Sequence, residues 1–89
     1  MRRINYKAGK LLRIDAKLDG KRIMKLKLHG DFFIHPEEGI EKIEKALLGT
    51  EIGTNAQTKE LLKATENLRF VGITTQDILQ ALDKFIKVR

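Results

Sequence analysis

The chain contains no cysteine, and that single absence removes disulfides, thiolate catalysis and cysteine-held zinc or iron-sulfur groups together. Burial of apolar side chains is left to hold the fold, and a reducing compartment, the cytoplasm, is the expected setting. No apolar run approaches the roughly 20 residues that span a bilayer. The basic start, Met1-Arg2-Arg3, leads into alternation instead of a signal-peptide core, so a soluble protein is expected. Low-complexity tracts are absent as well. Gly49 to Gly53 is not followed by Gly-Lys-Ser/Thr and so is no phosphate cradle. His29, Asp31, His35 and Glu38 lie close in sequence, but their spacing crosses a predicted strand, turn and helix start without a HExxH-like arrangement, and no metal site is assigned. No set of residues fills nucleophile, base and oxyanion roles, so no catalytic residue is assigned either.

What is present is the material of one small globular domain, residues 1–89. Hydrophobic residues at 42% and charged residues at 34% fall in the ordinary globular range. A chain of this size hides only about 60–65% of its unfolded surface, so a partner surface would add stability to a modest core. The net charge of +6 is unevenly spread. Residues 1–29 carry ten Lys/Arg against two acids, and residues 30–89 carry eight against ten. All the excess positive charge therefore lies in the first third, which suits an acidic partner, a phosphate-bearing ligand or nucleic acid.

That first third has a period of two. Ile4, Tyr6 and Ala8 alternate with Arg3, Asn5 and Lys7; Leu12, Ile14, Ala16 and Leu18 alternate with Arg13, Asp15 and Lys17; Met24, Leu26 and Leu28 alternate with Ile23, Lys25 and Lys27. Three strands follow, the last two joined around Asp19-Gly20. A two-residue Asp-Gly turn would place Ile14 opposite Lys25 and split the apolar face. A three-residue loop, Leu18-Asp19-Gly20, pairs Ile14 with Met24 and Leu12 with Leu26, and is the register expected. Arg13, Lys17, Lys25 and Lys27 then line the outward face.

After Phe33 the period lengthens to about 3.6. A helix from His35 to Leu48 is predicted, with Pro36 at its first position, Glu37 and Glu38 in its first turn, a stripe of Ile40, Ile43, Ala46 and Leu47, and Gly49 as its stop. Thr54 or Asn55 caps a second helix with Thr58, Leu61, Leu62, Thr65 and Leu68 on one face. Leu68 to Ile73 is an apolar connector able to run extended. Thr74-Thr75-Gln76-Asp77 reads as a capping box, with Ile73 stapled onto Ile78, for a third helix lined by Ile78, Leu82, Phe85 and Ile86. The expected fold is α+β, a three-stranded antiparallel sheet followed by three helices on one face. This order is similar to the SufE/NifU-like scaffold, whose chemistry runs through the thiolates this chain lacks.

Between the two periods stands Gly30-Asp31-Phe32-Phe33. Glycine and aspartate suit a chain reversal, and two adjacent aromatics point in different directions. Either both rings fill the corner, or one fills the core and the other lies near the surface as an interface anchor. The basic stripe is likewise open between a solvated face, a contact for an acidic protein, and a nucleic-acid surface. Against the last, it carries no interleaved aromatics to stack bases.

Taken in order, Lys7-Ala8-Gly9-Lys10-Leu11-Leu12-Arg13-Ile14, the turn Leu18-Asp19-Gly20-Lys21-Arg22-Ile23, the Gly30-Asp31-Phe32-Phe33 corner, the helix Ile40 to Gly49 and the segment Gly72-Ile73-Thr74-Thr75-Gln76-Asp77-Ile78 resemble the small accessory domain of lipoate-protein ligases. The resemblance spans most of the chain. It implies that a larger catalytic domain, absent here, binds ATP, magnesium and lipoate, makes lipoyl-AMP and passes the lipoyl group to a lysine of an acceptor domain. This chain is then expected to be a non-catalytic subunit holding no cofactor of its own, heterodimeric with its catalytic subunit and acting only indirectly on acceptor domains. Asp31, Phe32, Phe33, His35, Lys25 and Lys27 are the candidate contacts with that partner. The alternative is a small basic nucleic-acid-binding module, with affinity that falls steeply with salt.

Overall fold

In the computed structural model, which describes residues 1–7 and 9–87 with the side chain of Lys87 excepted, the basic third forms an antiparallel sheet in the order β1-β2-β3. β1 is Arg2–Lys7, β2 is Leu11–Asp19 and β3 is Arg22–Gly30. Ile4, Ile14 and Leu28 form one row across the three strands, and Ala16 pairs with Leu26 beside it. Leu12, Ile14 and Ala16 are fully buried, as the alternation requires. Ala8, expected to end the first strand, lies outside the described residues.

The hairpin register differs from the expected one. Asp19 pairs with Arg22 across a two-residue turn, Gly20-Lys21, in which Gly20 takes φ +61 at the position that favours glycine in a II′ hairpin. Continued unbroken, that turn would split the apolar face. A bulge repairs it: Lys17 pairs with Lys25 but Leu18 with Ile23, so Met24 has no partner on β2. The extra residue inverts the pattern on either side of itself. Ile23 becomes fully buried and Met24 is 49% exposed, the reverse of the predicted orientation.

Helix α1, Gly39–Leu47, begins four residues later than predicted. His35 is claimed by a short strand, and Pro36 to Glu38 form a turn closed by the Gly39 N–H donating to the Pro36 carbonyl at 2.9 Å. Gly39 is buried at this entry because a Cβ there would meet Leu68 at 2.7 Å and Ile34 at 2.9 Å. Gly49 ends the helix as expected, its N–H donating to the Ile23 carbonyl at 2.7 Å. Helix α2, Asn55–Thr65, is capped by Thr54, whose hydroxyl accepts from the Gln57 N–H. Its buried side is Gln57, Leu61, Ala64 and Thr65, while Leu62, expected inside, is 52% exposed. Helix α3, Thr75–Lys87, carries the reciprocal capping box: the Thr74 N–H donates to Asp77 at 2.8 Å and the Asp77 N–H donates to the Thr74 hydroxyl at 3.2 Å. Ile73 and Ile78 are both buried beside it.

Two strands were not foreseen as such. β4, Phe33–His35, pairs antiparallel with β5, Arg69–Val71, to make a separate two-stranded ribbon. The α+β fold thus holds, with the helices packed on the three-stranded sheet and this separate ribbon added to it. One apolar cluster joins sheet, ribbon and helices, with Ile14, Leu12, Ile43, Leu61, Leu82 and Phe85 at its centre. Among the described residues no helix is long and apolar enough to cross a membrane.

The bulge makes neighbouring positions unequal. Ile23→Ala is expected to lose about 2–5 kcal/mol in chemical denaturation, and Met24→Ala less than about 0.5 kcal/mol. Equal losses, or the opposite order, would contradict the observed register.

Candidate docking surface

The aromatic corner is built on a crossing of backbones. Gly30 takes φ +146, and a Cβ at that position would lie 2.2 Å from the Leu11 carbonyl oxygen, a distance no side chain tolerates. The same carbonyl accepts the Asp31 N–H at 3.0 Å. One residue earlier, the Lys10 N–H donates to the Gly72 carbonyl at 3.1 Å. The start of β2 is therefore clasped on one side by the entrance to β4 and on the other by the exit from β5.

That clasp sets which ring faces where. Phe32 is 7% exposed and belongs to the core, so its ring is not available as a partner contact. Phe33, at 67% exposed, is the surface member of the pair. In β4 and β5 the alternation continues: Ile34 faces Phe70 on the inner side, whereas Phe33 faces Val71 and His35 faces Arg69 on the outer side. Val71 is also more than half exposed. The outer side of the ribbon is thus an apolar pair, Phe33 and Val71, bordered by His35 and Arg69, with Asp31 exposed just before it. Burying an aromatic of this kind under a partner is the usual way an interface gains an anchor.

Lys25 and Lys27 belong elsewhere. They project from the outward face of the three-stranded sheet, Lys25 about 17 Å and Lys27 about 10 Å of strand away from the corner at Gly30, at roughly 3.3 Å per residue. The predicted contact residues therefore fall into two groups, Asp31, Phe33 and His35 on the ribbon and Lys25 and Lys27 on the sheet. Val71 and Arg69 complete the first group and were missed by sequence reading. The signal was the short extended run Arg69-Phe70-Val71, whose partner strand was read as part of a helix approach.

On the outward face of the sheet Asp15 stands among many cations. It accepts from Arg3 through both oxygens, at 2.6 and 3.0 Å, and from His29 at 3.1 Å. The Arg3 guanidinium, held by these bonds, draws the Asp15 carboxyl down to about 2, and His29 adds to that against the opposing pull of partial desolvation. Arg3 is raised in turn by the same contact. Arg13 donates to Asn5 at 2.8 Å, and Lys17 stands directly opposite Lys25. Of the residues weighed as metal ligands, His29 is engaged with Asp15 and His35 lies in the ribbon; among the described residues no group of three His, Asp or Glu is placed to hold a metal.

A small α+β domain whose distinctive feature is an exposed apolar ribbon beside a basic sheet has the build of an accessory domain, one that acts through contact. Comparison with known proteins gives that class a family. The model of the bacterial lipoate protein ligase C-terminus matches residues 2–82, and this chain belongs to that family. It is 35% identical over 81 residues to lipoate-protein ligase A subunit 2 of Thermoplasma acidophilum, covering 88% of this chain and 83% of that protein. A solved structure from the same organism, of an archaeal lipoylation system comprising a bipartite lipoate protein ligase and its E2 lipoyl domain, contains a chain that superposes with a TM-score of 0.81 at 32% identity. The match covers 92% of this chain and 93% of that one.

Two measurements check the local geometry. Gly30→Ala is expected to destabilise by more than about 2 kcal/mol, because both its backbone angle and the Leu11 carbonyl oppose a side chain; a loss below about 0.5 kcal/mol would deny the crossing. Asp15 has a folded pKa of about 2 against an ordinary 3.8, so its contribution to stability is present above pH 3.8 and fades as pH falls toward 2. Asp15→Asn should remove that part of the acid dependence when unfolding is followed between pH 5 and pH 2, values chosen to bracket both limits.

Proposed function

We propose that this chain is the non-catalytic subunit of a two-chain lipoate-protein ligase and that it supports ATP-dependent activation of lipoate. In that reaction a carboxylate oxygen of lipoate attacks the α-phosphorus of ATP, diphosphate leaves, and lipoyl-AMP is formed. The lipoyl group then passes to a lysine of an acceptor such as an E2 lipoyl domain, and AMP is released. ATP, magnesium and lipoate belong to the catalytic subunit on this reading, in the cytoplasm where ATP is supplied. The observation that carries it is the match, along nearly the whole chain, to one subunit of a bipartite ligase.

The contribution of this chain is physical. Docking through Phe33 and Val71, with Asp31 and His35 at the border, places a rigid apolar surface beside the catalytic subunit. Such a surface orders the neighbouring loops and excludes water from the reacting groups, so lipoate and ATP meet with less orientational freedom to lose. The ribbon is suited to that task because its inner side is packed: Ile34 is buried and contacts the entry of α1 at Gly39. A load on the outer side is borne by the core.

The test is lipoyl-AMP formation by the catalytic subunit with and without this chain. Activation is expected to rise on addition; equal rates in both cases would end the proposal. Phe33→Ala is expected to weaken stimulation at limiting concentration about tenfold or more while changing stability by less than about 0.5 kcal/mol, since the ring is a surface anchor and not core.

A further inference from the structure

A second surface carries apolar side chains that the fold does not use. Met1, Met24, Leu26 and Leu48 line a hollow of about 290 Å³ between β3 and α1, with Lys25, Lys27 and Lys45 around its rim. Leu26 forms part of the buried floor, whereas Met1 is 75%, Met24 49% and Leu48 45% exposed. Their exposure is built in. The bulge turns Met24 outward, and Leu48 is held beyond the end of α1 by its extended backbone, its N–H donating to the Lys45 carbonyl.

The charges around the hollow are unbalanced. Lys17 and Lys25 are direct cross-strand partners, an arrangement of like charges that costs stability. Among the described residues the ion pairs are Arg3 with Asp15 and His29 with Asp15, and neither involves these lysines. Glu44, the carboxylate lining the hollow, accepts the Leu28 N–H at 2.7 Å. That bond also covers the edge of β3, as do the bonds of Ile23 to Thr50 and Gly49 farther along. An incoming strand is blocked at both of those points and could pair only over the short stretch between them, so recognition of an occupant falls mainly to side chains.

We propose that this hollow is a second docking point for the catalytic subunit and that it receives a surface segment in which an apolar side chain is flanked by carboxylates. The inference rests on the accessory-subunit reading above. Charge complementarity selects the occupant: a cationic rim around an apolar floor matches an anionic rim around an apolar tip. Stacked nucleic-acid bases would need aromatic faces, and the exposed side chains here are aliphatic. A second copy related by a two-fold axis would bring the same lysines face to face. The two parts of the surface have separate duties. Lys17, Lys25, Lys27 and Lys45 steer association, and Met24 and Leu48 resist dissociation once water is excluded.

The experiment is a kinetic binding measurement between the purified catalytic subunit and the full chain, with circular dichroism confirming that each variant is folded. Lys17→Glu with Lys25→Glu should slow association about tenfold at low salt and flatten its salt dependence, leaving dissociation nearly unchanged. Met24→Ala with Leu48→Ala should speed dissociation about tenfold while leaving association nearly unchanged. Unaltered kinetics in both double variants, beside normal binding by the parent chain, would overturn the hollow and leave the accessory role standing. Failure of the parent chain to bind would remove both. Sedimentation that showed a concentration-dependent dimer abolished by the Met24 and Leu48 changes would reassign the surface to a second copy. Loss of binding to a single-stranded RNA oligonucleotide on lysine reversal, with subunit binding intact, would reassign it to nucleic acid.

Discussion

The contact of Gly30 with the Leu11 carbonyl is the point on which the architecture turns. A backbone can approach another at 2.2 Å from a would-be Cβ only where no Cβ exists, and the approach lets β3 end by folding across the start of β2. Everything after it depends on the direction of exit. Phe32 goes down into the core, Phe33 goes out, and β4 is delivered to the place where β5 closes on it. Gly72 makes the complementary approach from the other strand, where a Cβ would come within 2.7 Å of Lys10. Both strands of the ribbon are thus secured at the Phe33–Val71 end, one to Leu11 and the other to Lys10 just before it, and three residues per strand suffice beyond that anchor.

Core and surface follow different rules in this chain. The interior is almost wholly aliphatic, with Phe32 and Phe85 as its buried rings, and no buried side-chain polar atom among the described residues lacks a hydrogen-bond partner. The outer face of the sheet is organised by charge instead. There Asp15 gathers Arg3 and His29, and among the described residues no ion pair involves Lys17, Lys25 or Lys27. A small domain tolerates that arrangement at some loss of stability, which is consistent with a protein selected for contact more than for standing alone.

Much of the fold was legible because each local signal agreed with the global one. Alternation gave all three strands of the sheet, Gly49 and the Thr74-Asp77 box gave helix ends, and Ile73 with Ile78 gave the staple. What escaped was decided by tertiary contact. Met24 and Ile23 are interchangeable in an alternating pattern, and only closure of the hairpin around Gly20-Lys21 determines which turns inward. His35 and Pro36 look like a helix entrance until Arg69 pairs across from them. The candidate docking surface was the least legible, because Phe33 and Val71 are separated by 37 intervening residues and become neighbours only through the ribbon, a pairing that no local period announces.

The ribbon has a consequence for how such a domain can change over time. Strand alternation divides it into an inner register, Ile34 with Phe70, and an outer register, Phe33 with Val71 and His35 with Arg69. Substitutions in the outer register touch solvent or a binding partner and leave the packing at Gly39 and Leu68 intact. Solvent-facing and packed positions are thereby separated within six residues. If the outer register is where the proposed partner sits, side chains there can be exchanged to suit that partner while the inward pair keeps the scaffold in place.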